Sequence, residues 1–241
     1  MSGHSHFSTI KHKKGAADAK RSTMFSKIAR MISVAVKEGG GDPNANSKLR
    51  MAVEKGRSIN MPADNIERAI KRGSGDIVGA RYEEVVFEAY GPGNIALIIE
   101  GVTDNKNRTL SEIKQILERG GGKMVAEGAV RWIFERKGII VLSLPADVSK
   151  KDDIEMAVIE AGADDISWRE DGLVVYTAVD SLEAVKRKLK EQGLKIESSS
   201  WDLVAKEHVE VSPKEKEAAE KLFELLDDND AVQEVYSNLA D

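Results

Sequence analysis

The residue types best suited to chemistry in this sequence are concentrated in residues 3–21. This stretch holds five cations, one acid and three of the four histidines, namely Lys11, Lys13, Lys14, Lys20, Arg21, Asp18, His4, His6 and His12. A lysine or arginine set against a phosphate releases condensed counterions, which is the sequence-independent source of nucleic-acid affinity. Phe7 lies among these cations and offers a ring on which an unpaired base could stack. The stretch therefore predicts a basic arm that binds nucleic acid, the alternative being a charged terminus that only aids solubility.

Other residue groups that could carry chemistry have ordinary structural explanations. The arm histidines could ligate a metal ion, but the neighbouring cations oppose its charge, so we predict no metal and no cofactor. The glycines and lysine at 120–123 follow a helix and precede no Ser or Thr, unlike a phosphate loop. The acidic residues at 227–230 lack the glycine and final glutamate of a calcium loop. With no cysteine and only His208 outside the arm, no nucleophile–base pair is evident, and we predict no enzymatic activity.

A possible second contact is formed by Asp104, Asn105, Asn107 and Arg108. These residues stand between a predicted strand and a predicted helix, and the free backbone N–H groups of a helix N-terminus can bind an anion. Asn105 or Asn107 could equally cap the helix. The sequence leaves both roles open.

Charge is distributed unevenly along the 241 residues. Residues 1–75 contain 15 Lys and Arg against 6 Asp and Glu, a net charge of +9, whereas the remaining 21 and 35 give −14 and the whole chain has −5. This asymmetry predicts a basic module that meets a polyanion and acidic modules that face away from it. Because the chain has no cysteine, a polar start and no apolar run long enough to span a membrane, we expect a cytoplasmic protein.

Three amphipathic helices are predicted to carry the cations that follow the arm. Apolar residues recur at helical spacing in residues 18–37, in residues 46–57, and after Pro62 up to a stop at Gly73. On the first helix Phe25, Ile28 and Ile32 share one side, so the three helices are expected to bury their apolar faces in a small bundle. The cations expected to support the arm are Lys27, Arg30, Arg68, Lys71 and Arg72.

Strands and helices are mixed in the rest of the chain. A hairpin is predicted from strands at 82–90 and 94–103, followed by a helix at 110–119 and a strand at 129–135 with Trp132 and Phe134 in the core. After Gly138 the order is βαββαβ, the ferredoxin-like pattern, at residues 139–144, 152–161, 165–168, 173–178, 182–192 and 194–201. A short strand at 208–211 and helices at 213–226 and 231–239 follow.

These elements predict an α+β protein of three domains. The basic arm and the three-helix bundle form residues 1–78. A discontinuous α+β domain comprises residues 79–136 and 206–241, because the segment after residue 206 cannot stand alone and the preceding strands need a second helical cover. The ferredoxin-like domain, residues 137–205, is inserted between its two parts.

Seven separated motifs of this sequence are together similar to the YebC family. They are GHSHFSTIKHKKGAADAKR at 3–21, GGGDPNANSKLR at 39–50, NMPADNIERAIKRGSG at 60–75, FEAYGPGNIAL at 87–97, VTDNKNRT at 102–109, GAVRWIF at 128–134 and NDAVQEVYSN at 229–238. Phe7 departs from the family pattern, which usually has Trp there. A phenyl ring keeps a stacking face but loses the indole N–H.

The resemblance implies a three-domain α+β architecture with an N-terminal helical bundle and a non-enzymatic role in gene expression. Members of the family are described as DNA-binding transcriptional regulators. Bacterial members and a mitochondrial relative, a translational activator of cytochrome oxidase, are also described as translation factors that relieve ribosomes stalled on proline-rich stretches.

Two functions remain open at this point. In the first, which we favour, the arm and bundle contact ribosomal RNA or tRNA and bias the geometry of peptide transfer without making or breaking a bond. In the second, the same surface clamps duplex DNA, although no helix-turn-helix with an evident recognition helix and no zipper is found. We expect no membrane partner and a monomer. The residues expected to make the contact are His4, Phe7, Lys11, His12, Lys13, Lys14, Lys20 and Arg21, supported by Lys27, Arg30, Arg68, Lys71 and Arg72.

Overall fold

The computed structural model of this chain describes residues 18–77, 81–143, 151–169 and 172–240, with side chains from Arg21 onward. Within these residues it contains seven α-helices and two four-stranded sheets, which confirms a mixed α+β fold. The chain divides into two compact units. The first unit contains the residues up to Arg131 together with Val211–Val235, and the second contains Trp132–Glu210 with the residues from Tyr236 onward. The three-domain layout stays a prediction.

The first unit begins with the expected helical bundle. Its helices are α1 (Asp18–Gly39), α2 (Ser47–Ser58) and α3 (Ala63–Ser74). The buried core that they share includes Ile28, Ile32 and Leu49. Asn46 caps α2 by accepting a hydrogen bond from the Leu49 N–H, and its Nδ2 donates to the carbonyl oxygens of Ala35 and Gly40. One buried amide therefore fixes both the start of α2 and the end of α1.

The third helix ends later than the sequence predicts. Gly73 lies inside α3, and Gly75, with φ of 86°, provides the left-handed residue that ends it. Gly73 instead lies against α1, where an added Cβ would stand 2.5 Å from the carbonyl oxygen of Ser33. The missing side chain allows α3 to pack closely on α1, so the predicted stop at Gly73 is wrong.

A four-stranded sheet completes the first unit. The predicted hairpin is confirmed by β1 (Glu83–Tyr90) and β2 (Ala96–Thr103), which pair antiparallel and are joined by a 3₁₀ turn at Pro92–Asn94. The strand order is β3-β1-β2-β8, with β3 at Lys123–Val125 and β8 at Val232–Ser237. Helices α4 (Lys106–Arg119) and α7 (Pro213–Asp227) contact each other, and α1 contacts β2. Seven of the eight β2 residues are buried, as expected for a strand covered on both faces.

Two predictions for this part of the chain are wrong, and one short strand was not predicted. Residues 231–239 contain a strand instead of a helix, because β8 pairs with the open edge of β2. The short strand β3 was not expected. Residues 129–133 form a turn and a 3₁₀ segment instead of a strand, since their N–H groups bind the carboxylate of Glu88. As a result Trp132 is 68% exposed, whereas Phe134 is buried as predicted.

The second unit has the predicted βαββαβ order. Its elements are β4 (Phe134–Ser143), α5 (Lys151–Ala161), β5 (Asp165–Arg169), β6 (Gly172–Thr177), α6 (Leu182–Glu191) and β7 (Ile196–Ala205). The strand order is β5-β6-β4-β7, and every neighbouring pair is antiparallel. A core that includes Ile140, Val158 and Leu189 joins one face of this sheet to the two helices. Strand β4 is continuous across residues 136 and 137, where the sequence places a domain boundary.

Candidate nucleic-acid interface

Most residues of the predicted arm lie outside the described residues. These are His4, Phe7, Lys11, His12, Lys13 and Lys14, and the side chain of Lys20 is outside them as well. Their contact with nucleic acid stays a prediction. The remaining cations of the predicted site, on α1 and α3, can be placed.

Lys27 is buried and Arg30 is half-buried, and both contact the turn after α7. Lys27 is 4% exposed, and its Nζ lies 3.1 Å from Asp227 Oδ1 and also donates to the Asp227 carbonyl. Arg30 donates to the Asp230 carbonyl and lies 3.5 Å from an Asp230 carboxylate oxygen. The two cations are three residues apart and so share one side of α1, which faces the turn after α7. The sequence places both cations on the exposed basic surface, whereas the structure buries Lys27, leaves Arg30 half-buried and binds each to a carboxylate of the chain itself. Their contact with nucleic acid stays a prediction.

The acidic residues at 227–230 therefore receive a structural role. Asp227 and Asp230 bind α1, while Asn229 accepts a hydrogen bond from the Ala231 N–H and donates to Glu112 on α4. These contacts fix the turn that leads from α7 into β8. Two further bundle cations are paired with acids as well, Lys55 with Glu234 at 2.6 Å and Lys48 with both Glu38 and Glu84 at 2.7 Å.

Arg21, Arg68, Lys71 and Arg72 remain at the surface of the bundle. Lys71 lies 2.8 Å from Glu67 one turn earlier on α3, and this hydrogen bond raises the pKa of Lys71 above 10.5. Arg68 and Arg72 form no ion pair with any carboxylate whose side chain is described. The two arginines are four residues apart on α3, so their side chains project from the same side. They are the described cations of the predicted site most available to an external anion.

An open groove between α1 and α3 joins these arginines to an aromatic ring. It has a volume of about 220 Å³ and is lined by Ser22, Phe25, Ser26, Ala29, Met61, Asn65, Arg68, Ala69 and Arg72. The Arg21 guanidinium lies over the Phe25 ring, 5.8 Å from its centroid. No acidic side chain lines this groove, which from here on we call the α1–α3 groove. Its lining can bind an anion through two guanidinium groups and present part of an aromatic ring and small polar groups beside it.

Sequence reasoning found the arginines of the groove but not its other lining residues. Phe25 was assigned to the core, and the structure places it half-buried, packed partly on the core and partly in the groove. Asn65, Arg68 and Arg72 recur at spacings of three and four, so they form one stripe of α3 that the sequence contains. The sequence does not predict the groove as a whole, because the spacing of residues within α3 does not show which residues of α1 lie opposite them.

The possible second contact at residues 104–108 has the capping arrangement. Asn105 caps α4 by accepting from the Arg108 N–H, so of the two candidate caps it is Asn105 that serves. Asn107 lies in the first turn of α4. Arg108 lies 2.6 Å from Asp104 and 3.6 Å from Glu112, so its charge is shared with two carboxylates. Binding of an external anion at this loop stays a prediction.

Glu88 is a buried carboxylate that the sequence did not single out. It is 5% exposed, and its two oxygens accept from the backbone N–H groups of Gly128, Val130 and Arg131. Burial alone raises the pKa of a carboxyl group, but the three backbone hydrogen bonds outweigh it and hold the pKa of Glu88 below its ordinary 4.5. The carboxylate thus fixes the loop after β3.

Neither a metal cluster nor a membrane helix is found in the described part of the chain. There, no three His, Asp or Glu side chains stand close enough together to hold a metal ion. No helix of the same residues is long and apolar enough to cross a membrane.

Two sequence profiles of one family match nearly all of the chain. The profile described as "TACO1/YebC protein N-terminal domain" matches residues 5–76, and the one described as "TACO1/YebC second and third domain" matches residues 82–239. This chain belongs to the YebC family. The family resemblance carried by the sequence motifs is thereby confirmed.

Curated relatives and a solved structure cover the same length. A protein of Pseudothermotoga lettingae is 48% identical over 239 residues, which are 99% of this chain and 93% of that protein. One of Chlorobaculum tepidum is 45% identical over 240 residues, 99% and 95% of the two chains. Both are named "probable transcriptional regulatory protein". The crystal structure of a conserved hypothetical protein from Aquifex aeolicus has a TM-score of 0.84 and 38% identity, covering 98% of this chain and 97% of that one.

Proposed function

We propose that this YebC-family chain is a non-enzymatic regulator of gene expression that binds RNA on the ribosome. The observation that carries the proposal is the pair formed by exposed Arg68 and half-buried Arg72, which lie one turn apart on α3 and have no described carboxylate partner. Lys27, Arg30, Lys48 and Lys55 are paired with acids of the chain, whereas Arg68 and Arg72 keep their charge beside the α1–α3 groove. Guanidinium groups placed in this way bind phosphates and release counterions.

In this proposal the protein acts by positioning. The family resemblance supports a role in relieving ribosomes stalled on proline-rich stretches. Binding of the arm and the arginines to ribosomal RNA or tRNA would restrict the reacting ends to productive geometries, an effect that needs no nucleophile and no cofactor.

Regulation of transcription through duplex DNA is the second candidate. It is favoured by the names of the relatives and by the spacing of α2, a turn of four residues and α3, which is that of a helix-turn-helix. The exposed first turns of α3, however, carry Asp64 and Glu67. In a recognition helix these carboxylates would enter the major groove between two rows of phosphates. The first half of α3 is therefore poorly suited to reading a DNA duplex. The second half, which carries Arg68 and Arg72, is suited to contact with RNA phosphates.

A competition experiment separates the two candidates. The labelled chain is offered purified ribosomes together with promoter-length duplex DNA at near-physiological salt, and the distribution of label is recorded. We expect most of the label with the ribosomes. Preferential capture by the duplex would overturn the assignment to translation.

The contribution of the arm is tested by its salt dependence. We predict that Lys13→Ala combined with Lys14→Ala weakens ribosome binding and flattens the plot of log affinity against log salt by about one unit of slope per lost phosphate contact. Binding is measured between about 50 and 200 mM salt. An unchanged slope would remove these lysines from the contact.

A further inference from the structure

We infer that the α1–α3 groove is a site for one unpaired nucleotide of single-stranded RNA, with the base against Phe25 and the phosphate on Arg68 and Arg72. The inference rests on the proposed function and goes beyond it by naming the site and the class of ligand. Three properties of the groove support it: its charge, its aromatic wall and its size.

The charge of the groove suits one phosphodiester. Arg68 and Arg72 are separated by one helical turn, so two guanidinium groups can converge on one phosphate. None of the nine lining residues is acidic, although Glu67 and Lys71 lie on the same helix and pair with each other outside the groove. A phosphate entering the groove therefore meets two donors and no lining carboxylate.

The aromatic wall suits a base that has left its stack. Phe25 is half-buried, so the core holds one part of the ring while another part faces the groove. The Arg21 guanidinium already lies 5.8 Å from its centroid, which shows that a flat cationic group has access to the ring. A base has a similar flat face and can stack on the ring in the same way. Ser22, Ser26 and Asn65 stand beside the ring with hydroxyl and amide groups suited to a base edge.

The size of the groove limits the ligand. Its volume of about 220 Å³ is smaller than that of a pocket that encloses a drug-sized molecule, roughly 300–1,000 Å³. One base fits such a groove, whereas a duplex keeps its bases paired and inside. Loops and ends of RNA present bases in the required form.

The test measures binding of the full chain to a fluorescent single-stranded heptaadenylate and to a duplex RNA of equal length. We expect Phe25→Leu, which keeps an apolar side chain against the core, to lower affinity for the single strand about tenfold and to leave the duplex unaffected. Phe25→Tyr keeps the ring and should bind as the parent does.

The phosphate contact is tested by Arg68→Ala, which should weaken binding and reduce the salt slope by about one. The matched control is Arg57→Ala, which removes an exposed arginine of α2 outside the groove and should do neither.

A blocking variant tests the site without touching the core. Ser26 is exposed at the groove, and Ser26→Trp should fill it and lower single-strand affinity by a similar factor while the melting temperature stays within a few degrees of the parent. Equal affinities of Phe25→Leu, Ser26→Trp and the parent for the single strand would overturn the nucleotide site. If ribosome capture persisted in that case, the proposed function would stand without it. Failure of the parent itself to bind ribosomes would overturn the proposed function instead.

Discussion

At the scale of single residues, the cation Lys27 contributes to the stability of the fold. Lys27 is buried, and its ammonium group is held by the carboxylate and the carbonyl of Asp227. Removing one partner of a buried pair leaves the other charge uncompensated, at a cost of roughly 3–5 kcal/mol. Because the Asp227 side chain is 31% exposed and can be rehydrated in part, we predict that Lys27→Ala lowers the free energy of unfolding by about 3 kcal/mol.

The matched control for Lys27 is Lys71→Ala on the exposed side of α3. Its pair with Glu67 lies in solvent, and removal of such an exposed pair leaves stability nearly unchanged. Both variants are measured by urea denaturation. Equal midpoints for the two variants would show that Lys27 is not the structural cation described above.

Glu88 predicts a specific pH dependence. Its pKa in the folded chain lies below 4.5, so the unfolded chain binds its proton more readily and the stabilisation is present above about pH 4.5. As pH falls through the folded pKa, that stabilisation is lost. We predict that Glu88→Gln costs about 1–3 kcal/mol at pH 7 and flattens the decline of stability below pH 4.5. Thermal unfolding at pH 7, 5 and 3.5 compares the two proteins, and parallel curves would contradict this role.

At the scale of elements, the packing of α3 on α1 depends on Gly73. Alanine there gains about 1 kcal/mol of helix propensity, but its Cβ would stand 2.5 Å from the Ser33 carbonyl oxygen and 2.7 Å from Val36 Cβ. Since the nearest obstacle is backbone, the helices must separate, and overpacking of this kind costs about 1–3 kcal/mol. We predict that Gly73→Ala lowers the melting temperature, whereas Glu67→Ala on the exposed face of α3 leaves it nearly unchanged. A Gly73→Ala protein as stable as the parent would show that α3 has room to shift.

Elements with a strong local signal could be predicted from the sequence. Helices α1, α2, α5 and α6 and the hairpin β1–β2 lie within a few residues of their predicted positions, because helical spacing and a glycine-proline turn are local properties. The sequence does not predict strand β8, because Val232 and Val235 are three residues apart, as on a helix. The edge of β2 with which β8 pairs is about 130 residues away along the chain. The turn at 129–133 is not predicted for a related reason: the carboxylate that accepts from its N–H groups belongs to Glu88 on β1, which is distant in sequence.

The candidate site was predictable in part for the same physical reason. Cations were found from their type and position, but their partners were not, and partners decide which cations are available. Lys27 and Arg30 are each bound to residues 200 positions further along the chain. No pattern inside α1 distinguishes them from Arg21.

At the scale of the whole molecule, the net charge of −5 hides a positive end. The first 75 residues carry +9 and the remainder −14. We predict that affinity for ribosomes falls steeply with salt although the isoelectric point is about 5.6, because binding is set by local phosphate contacts and not by net charge. Affinities measured at three salt concentrations with an acidic protein of similar net charge as a control would show this. An affinity that rises with salt would indicate an apolar contact instead.

The order in which the first unit acquires its parts has a consequence for synthesis. The bundle and β1–β3 leave the translating ribosome long before α7 and β8, which supply Asp227 and Asp230 for α1 and the last strand for the sheet. Until then the nascent chain has an unpaired edge at β2 and a lysine whose buried position lacks its counterion. An unpaired strand edge is a template for pairing with other chains, so an unfinished chain is prone to aggregate. A chain terminated before β8 should therefore aggregate more readily than one that has reached it.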